Sequence, residues 1–146
     1  MDYPQLGLDL QLCFPLYAVS RAVTSRYAQL LGEVGLTYPQ YLVMLALWEA
    51  GSLGVGELGE RLRLDSGTLS PLLKRLQASG AVTRTRDAHD ERRVVVAPTD
   101  AGWQLRAKVA HVPAAIAQAM GLEPQAYAEL KQRLAELLCS LDLATT

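Results

Sequence analysis

The chain has 146 residues, 50% of them hydrophobic and 20% charged, with a formal net charge of -1. That apolar content suffices for one globular core. The longest strongly apolar run, residues 41–48, is far short of the roughly 20 residues that a membrane span needs. Two cysteines, Cys13 and Cys139, give no disulfide framework, and no Cys/His cluster has zinc spacing, so neither a metal nor a cofactor is expected. Met1-Asp2-Tyr3-Pro4 lacks a basic start and a small-residue cleavage site, so no secretory signal is expected either. The composition predicts a cytoplasmic protein with reduced thiols and no membrane partner.

Residues 9–31 carry an apolar stripe at heptad steps, with Leu16, Ser20, Val23, Tyr27 and Leu30 leading to Val34, and Cys13 just ahead of it. This predicts a first helix, which Pro15 either kinks or begins. Thr37 reads as the N-cap of a second helix over 39–50, stopped by Gly51. Two short apolar-periodic segments, 55–62 and 66–79, flank the break Arg63-Leu64-Asp65. Asp65 is the expected N-cap of the second segment and Gly80 its stop; Ser70 with Pro71 offers a shorter alternative start. Either version buries Leu69, Leu72, Leu73 and Leu76 on one face. A strand over 81–86, a polar turn over 87–91 and a strand over 92–98 come next. Thr99 then caps a helix to about Met120, Gly121 breaks it, and Pro124 starts a last helix to about Leu141. Tyr127, Leu130, Leu134, Leu137 and Leu138 form the apolar face of that last helix.

Helix, turn, helix and two-stranded hairpin, in that order over 55–99, make a winged helix-turn-helix. The expected fold is mostly α with a small β wing, and the whole chain, 1–146, reads as one domain. The terminal helices, 8–34 and 100–141, carry wide apolar stripes on either side of the winged helix. Burial against a second copy is the simplest way to cover them, which predicts an obligate homodimer.

Charge is unevenly spread. Residues 61–93 hold eight of the fourteen Lys and Arg against four acids, Asp65, Asp87, Asp90 and Glu91. Such a local excess suits a phosphate-facing surface. On the 66–79 helix, the face opposite the leucines carries Gly67, Pro71 and Lys74, flanked by Thr68, Ser70 and Arg75. Small and hydroxyl residues such as Ser66, Thr68 and Ser70 allow close approach to base edges, and the helix start and hydroxyls can meet phosphates. Lys74 and Arg75 can add backbone or guanine contacts. Arg84 and Arg86 alternate onto one strand face, and Asp90, two residues before Arg92, could brace that guanidinium toward a minor groove. The alternatives are a winged helix used for protein contacts, with its cations merely solvated, and an Asp90–Arg92 pair that only stabilises the turn.

Three segments carry a family resemblance: Leu36-Thr37-Tyr38-Pro39-Gln40-Tyr41-Leu42-Val43-Met44, the run from Leu64-Asp65-Ser66-Gly67-Thr68-Leu69 to Lys74-Arg75-Leu76, and Asp90-Glu91-Arg92. Over about residues 8–138 the chain resembles MarR-type transcriptional regulators, and within them the organic-hydroperoxide-sensing repressors (the OhrR group). The resemblance implies a repressor that binds double-stranded DNA at a pseudo-palindromic operator. It implies that Cys13, in Gln11-Leu12-Cys13-Phe14, is the reactive cysteine, with Tyr17, Tyr27 and Tyr38 as the tyrosines that bond it or close its pocket. Arg92 matches the wing arginine, and Asp65, Ser66 and Thr68 fall on reading-helix positions. Two-cysteine members carry a resolving cysteine near the start of the last helix, where residues 118–122 have none. The role of Cys139 stays open between a second thiol and a structural or surface residue.

Such a sensor needs a thiolate to attack peroxide oxygen. No Lys, Arg or His lies within seven residues of Cys13, which leaves the positive end of the first helix and tyrosine hydroxyls as activators. Tyr17 can reach it from one turn away. Tyr27 is fourteen residues on, about 21 Å along a helix, so it would meet Cys13 only from a partner chain or through a sharp break. The bland reading of Cys13 is a small buried hydrophobe. Apolar neighbours favour an organic over an inorganic peroxide. Competing functions are a MarR-type regulator answering a non-covalent small-molecule effector, a thiol peroxidase and a protein-binding adaptor. The absence of C-x-x-C and of a recycling thiol speaks against an enzyme.

Overall fold

The computed structural model describes residues 3–144. Two 3-10 turns, Pro4–Leu6 and Leu8–Leu10, precede helix α1 (Cys13–Leu31). The helix begins at Cys13 rather than at residue 9, because Pro15 falls in its first turn, where a missing N–H costs no internal bond. Pro15 therefore starts α1 and does not kink it. After Gly35, in the left-handed region (φ 69), Thr37 forms a reciprocal cap with Gln40. The Thr37 N–H donates to Gln40 Oε1 at 2.9 Å, and the Gln40 N–H to Thr37 Oγ1 at 3.4 Å. Helix α2 (Tyr38–Ala50) follows and ends at Gly51.

The helix-turn-helix is α3 (Val55–Leu62) and α4 (Ser66–Ala78). The sheet has three strands, not the two expected: β1 (Leu53–Gly54), β2 (Val82–Arg86) and β3 (Val94–Pro98), in the antiparallel order β1-β3-β2. Leu53 lies opposite Val96 and Gly54 opposite Val95, while Val82 to Arg86 run against Pro98 to Val94. A two-residue strand is too short to show alternation in the sequence. The single helix expected from Thr99 to Met120 is two, α5 (Asp100–Lys108) and α6 (Val112–Met120). Pro113 explains the break: it has no N–H for the Val109 carbonyl, and its ring would crowd that oxygen. Helix α7 (Pro124–Ala144) completes the chain.

The described residues fall into two compact units that divide between Val112 and Pro113. In the first, α2 is central, touching α1, α3, α4, α5 and β3. It contributes Tyr41, Val43, Met44, Leu47 and Trp48 to a core completed by Leu58, Leu69, Leu73, Leu76, Val82 and Val96. Of the four leucines expected inside from α4, Leu69, Leu73 and Leu76 are buried and Leu72 is half-buried.

The wing root is tied down where α5 meets β2. Trp48 Nε1 donates to the Gly102 carbonyl at 3.0 Å. Thr99 Oγ1 accepts the Gly102 N–H at 3.0 Å and donates to the Gly80 carbonyl. Gly102 is required there, since a Cβ would stand 2.0 Å from the Ala81 carbonyl oxygen.

Other apolar side chains stay uncovered. Leu12, Phe14, Leu16, Tyr17 and Val19 are exposed at the start of α1, and Tyr127, Leu130, Leu134 and Leu138 along α7. Among the described residues, no single helix is long and apolar enough to cross a membrane.

Candidate nucleic-acid interface and thiol site

Asp65 is the N-cap of α4: its Oδ1 accepts the Thr68 N–H at 2.7 Å. That bond holds the Asp65 carboxyl below the usual carboxylate range. The longer version of α4 is the one formed, so Ser70 is not its cap and Pro71 lies inside it. Ser66, Thr68 and Ser70 are exposed along the first turns of α4. The helix start, with N–H groups that have no carbonyl ahead of them, opens onto the same face.

An open cleft of about 550 Å³ joins this helix to the wing, lined by Val55, Gly56, Ser70, Arg84, Asp90 and Arg92 among others. Arg84 Nε donates to Gln77 Oε1 at 2.7 Å, which pins the β2 arginine to α4. Lys74, Arg75, Arg86 and Arg92 are exposed, and among the described residues their charged ends make no ion pair or hydrogen bond. Asp90 does not brace the Arg92 guanidinium. Its Oδ1 accepts the Arg92 backbone N–H at 3.0 Å, and Asp87 Oδ1 accepts that of His89 at 2.9 Å, so both acids shape the hairpin turn. The Arg92 side chain is left to reach outward.

Some of the cations counted in the sequence are spent inside the protein. Arg61 pairs with Glu49, and Arg93 Nη2 donates to Glu57 Oε2 at 2.7 Å. The chemistry on offer is a helix N-terminus with hydroxyls, a row of solvent-facing cations on α4, and a wing tip carrying one outstretched arginine. All three suit a polyanion with grooves.

Cys13 is an exposed free thiol at the first residue of α1, where the backbone favours negative charge. Within a single chain it is not the buried hydrophobe of the bland reading. Tyr17, one turn on, is also exposed, with the Arg21 guanidinium carbon 5.5 Å from its ring centre. Since α1 is continuous, the sharp break that could have brought Tyr27 to Cys13 within one chain does not exist. Tyr27 stacks instead on Tyr38, ring centres 4.1 Å apart, and leans on Tyr41 at 5.8 Å. Burial pushes the Tyr41 phenol up, and Tyr38 adds to the effect. Cys139 is a second exposed free thiol, on α7.

A family model described as transcriptional regulator SarA/Rot matches residues 25–109. An organic hydroperoxide resistance transcriptional regulator of Bacillus subtilis is 44% identical over 140 residues, 96% of this chain and 93% of that protein. The chain belongs to the organic-hydroperoxide group of MarR-type transcriptional regulators. Among solved structures, reduced AbfR bound to DNA matches this regulator with a TM-score of 0.85 and 38% identity, covering 100% of both chains. Overoxidized AbfR bound to DNA matches with a TM-score of 0.78 and 38% identity, over 94% of this chain and 96% of that one.

For a MarR-type regulator, then, the structure gathers Ser70, Arg84, Asp90 and Arg92 around one cleft and Cys13 and Tyr17 at one helix start. It sets Tyr27 and Tyr38 apart from Cys13 as a stacked pair. Val55, Gly56 and Arg93 also line the cleft and were missed in the sequence. The signal for Arg93 was Glu57, but the two are 36 residues apart and no local spacing links them.

Proposed function

We propose that this chain is a cytoplasmic, DNA-binding transcriptional repressor, not an enzyme, that senses organic hydroperoxides at Cys13 and then releases a pseudo-palindromic operator. The observation that carries this reading is the exposed Cys13 thiol at the start of α1, beside Tyr17, in a regulator of the organic-hydroperoxide group. Its thiolate attacks the terminal peroxide oxygen. An S–O bond forms and the O–O bond breaks; the alkoxide leaves, takes a proton and becomes the alcohol, and the sulfur becomes a sulfenic acid.

The uncovered faces of α1 and α7 support a homodimer, in which a second copy buries Leu12, Phe14 and Leu16 and the leucines of α7. In that assembly the partner supplies the tyrosines that a single chain cannot bring to its own Cys13. Oxidation then acts at the interface and shifts two reading heads that must stay about one DNA turn apart. Asp65, Ser66, Thr68 and Ser70 place the start of α4 against base edges. Lys74, Arg75, Arg84 and Arg86 meet the backbone, and Arg92 enters the minor groove.

The test is intact mass together with an operator gel shift, before and after an alkyl hydroperoxide, on wild type, Cys13→Ser and Cys139→Ser. Wild type is expected to gain oxygen at Cys13 and to release DNA, whereas Cys13→Ser stays bound. Release by Cys13→Ser under oxidant would overturn the reading in favour of a non-covalent effector.

A further inference from the structure

Arg92 and Arg93 are identical neighbours at the wing tip, yet the structure uses them differently. Among the described residues the Arg92 guanidinium makes no hydrogen bond or ion pair, whereas Arg93 is held at both ends. Its N–H donates to the Asp90 carbonyl at 2.9 Å, and its carbonyl accepts the Asp87 N–H at 2.8 Å, which closes the hairpin. Its guanidinium reaches back to α3. Nη2 donates to Glu57 Oε2 at 2.7 Å, and Nη1 lies 3.7 Å from Asp87 Oδ2.

The Glu57 oxygen that takes Arg93 also accepts the Gly54 N–H at 2.7 Å, capping α3. These two donors keep the Glu57 carboxyl below its usual range, Gly54 contributing more than Arg93. The guanidinium lies across β1 at the one place without a side chain: a Cβ on Gly54 would stand 2.8 Å from Arg93 Nε. Helix start, sheet edge and wing tip therefore converge on a single carboxylate. Half-exposed ion pairs contribute little to stability, so a clamp of this kind acts on aim and not on folding.

We infer that Arg93, through Glu57, is a positioning residue that fixes the wing in register with α3, and hence with α4, so that Arg92 alone of the pair meets DNA. The inference rests on the DNA-binding reading above.

The experiment uses the full chain, titrated over a range of salt onto a duplex selected with the wild type from a random-sequence pool. Amide hydrogen exchange across residues 86–94 of the free protein runs alongside. Arg92→Gln is expected to weaken binding and to lower the slope of log K against log salt by about one. Arg93→Gln is expected to weaken binding about three- to fivefold with the wild-type slope, because the pair is surface-exposed and no phosphate contact is lost. Glu57→Gln is the sharper probe. It removes a negative charge from the winged helix, which simple electrostatics says must tighten binding to a polyanion, whereas a lost clamp loosens it by about the amount seen for Arg93→Gln. In the double variant the two losses do not add. Both single variants speed exchange at the hairpin amides.

A slope lowered by about one in Arg93→Gln, tighter binding by Glu57→Gln, or unchanged hairpin exchange would each overturn the clamp. If the wild type selects no duplex, the DNA-binding reading fails by itself, and exchange in the free protein still decides whether Arg93 and Glu57 hold the wing.

Discussion

The winged helix and the terminal helices solve the problem of apolar surface in opposite ways. The winged helix folds its leucines inward onto α2 and leaves polar and charged groups outside: Leu58, Leu69, Leu73 and Leu76 are at most 1% exposed. The start of α1 and the length of α7 keep apolar side chains in solvent, with Tyr17 60% and Tyr127 46% exposed. A monomer does not display such faces without a use for them. One region is complete within a single chain, and the other is half of something.

The largest effect should come from the unfinished half. Replacing Leu130 and Leu134 with Asp on α7 is expected to turn a dimer into a monomer by sedimentation. Duplex affinity should fall on the order of a hundredfold as the two reading heads become independent. A variant that stayed dimeric would break the contrast between the regions. Within the self-contained half, Gly102→Ala forces a methyl group against the Ala81 carbonyl. It should lower unfolding free energy by about 1–3 kcal/mol, as overpacking does, measured by urea denaturation with the oligomeric state unchanged.

The smallest effect concerns the cap of α4. Because the Thr68 N–H holds the folded Asp65 below its ordinary value of 3.8, the stabilisation is present above that pH. It is lost as pH falls through the lowered folded value. Asp65→Asn caps without titrating in this range. The melting temperatures of wild type and Asp65→Asn should therefore differ by a constant amount near neutrality and draw together only in acid below the ordinary value. A difference that stays constant into strong acid would show that the Asp65 charge is not stabilising the helix.

Much of the winged helix was legible because its signals are local. Thr37, Asp65 and Thr99 cap through bonds to residues three ahead, a spacing visible in the chain itself. Gly51 and Gly80 end their helices with positive φ, as their type suggests. What escaped depends on distance or on competing signals. The apolar run after Thr99 hid the break that Pro113 makes, and β1 acquires its identity only from Val95 and Val96. Counting charges from 61 to 93 treated every arginine alike, although Arg61 and Arg93 are occupied by Glu49 and Glu57. At the thiol, the stripe located Cys13 on a helix face, but periodicity cannot say whether that face meets its own core or another chain.

The knot of Trp48, Thr99, Gly102 and Ala81 has a mechanical consequence. The base of the hairpin is tied directly to the start of α5 and, through Trp48, to α2, so a tilt of either helix is expected to carry the wing with it. A small rotation at that base becomes a larger sweep at the Arg92 tip.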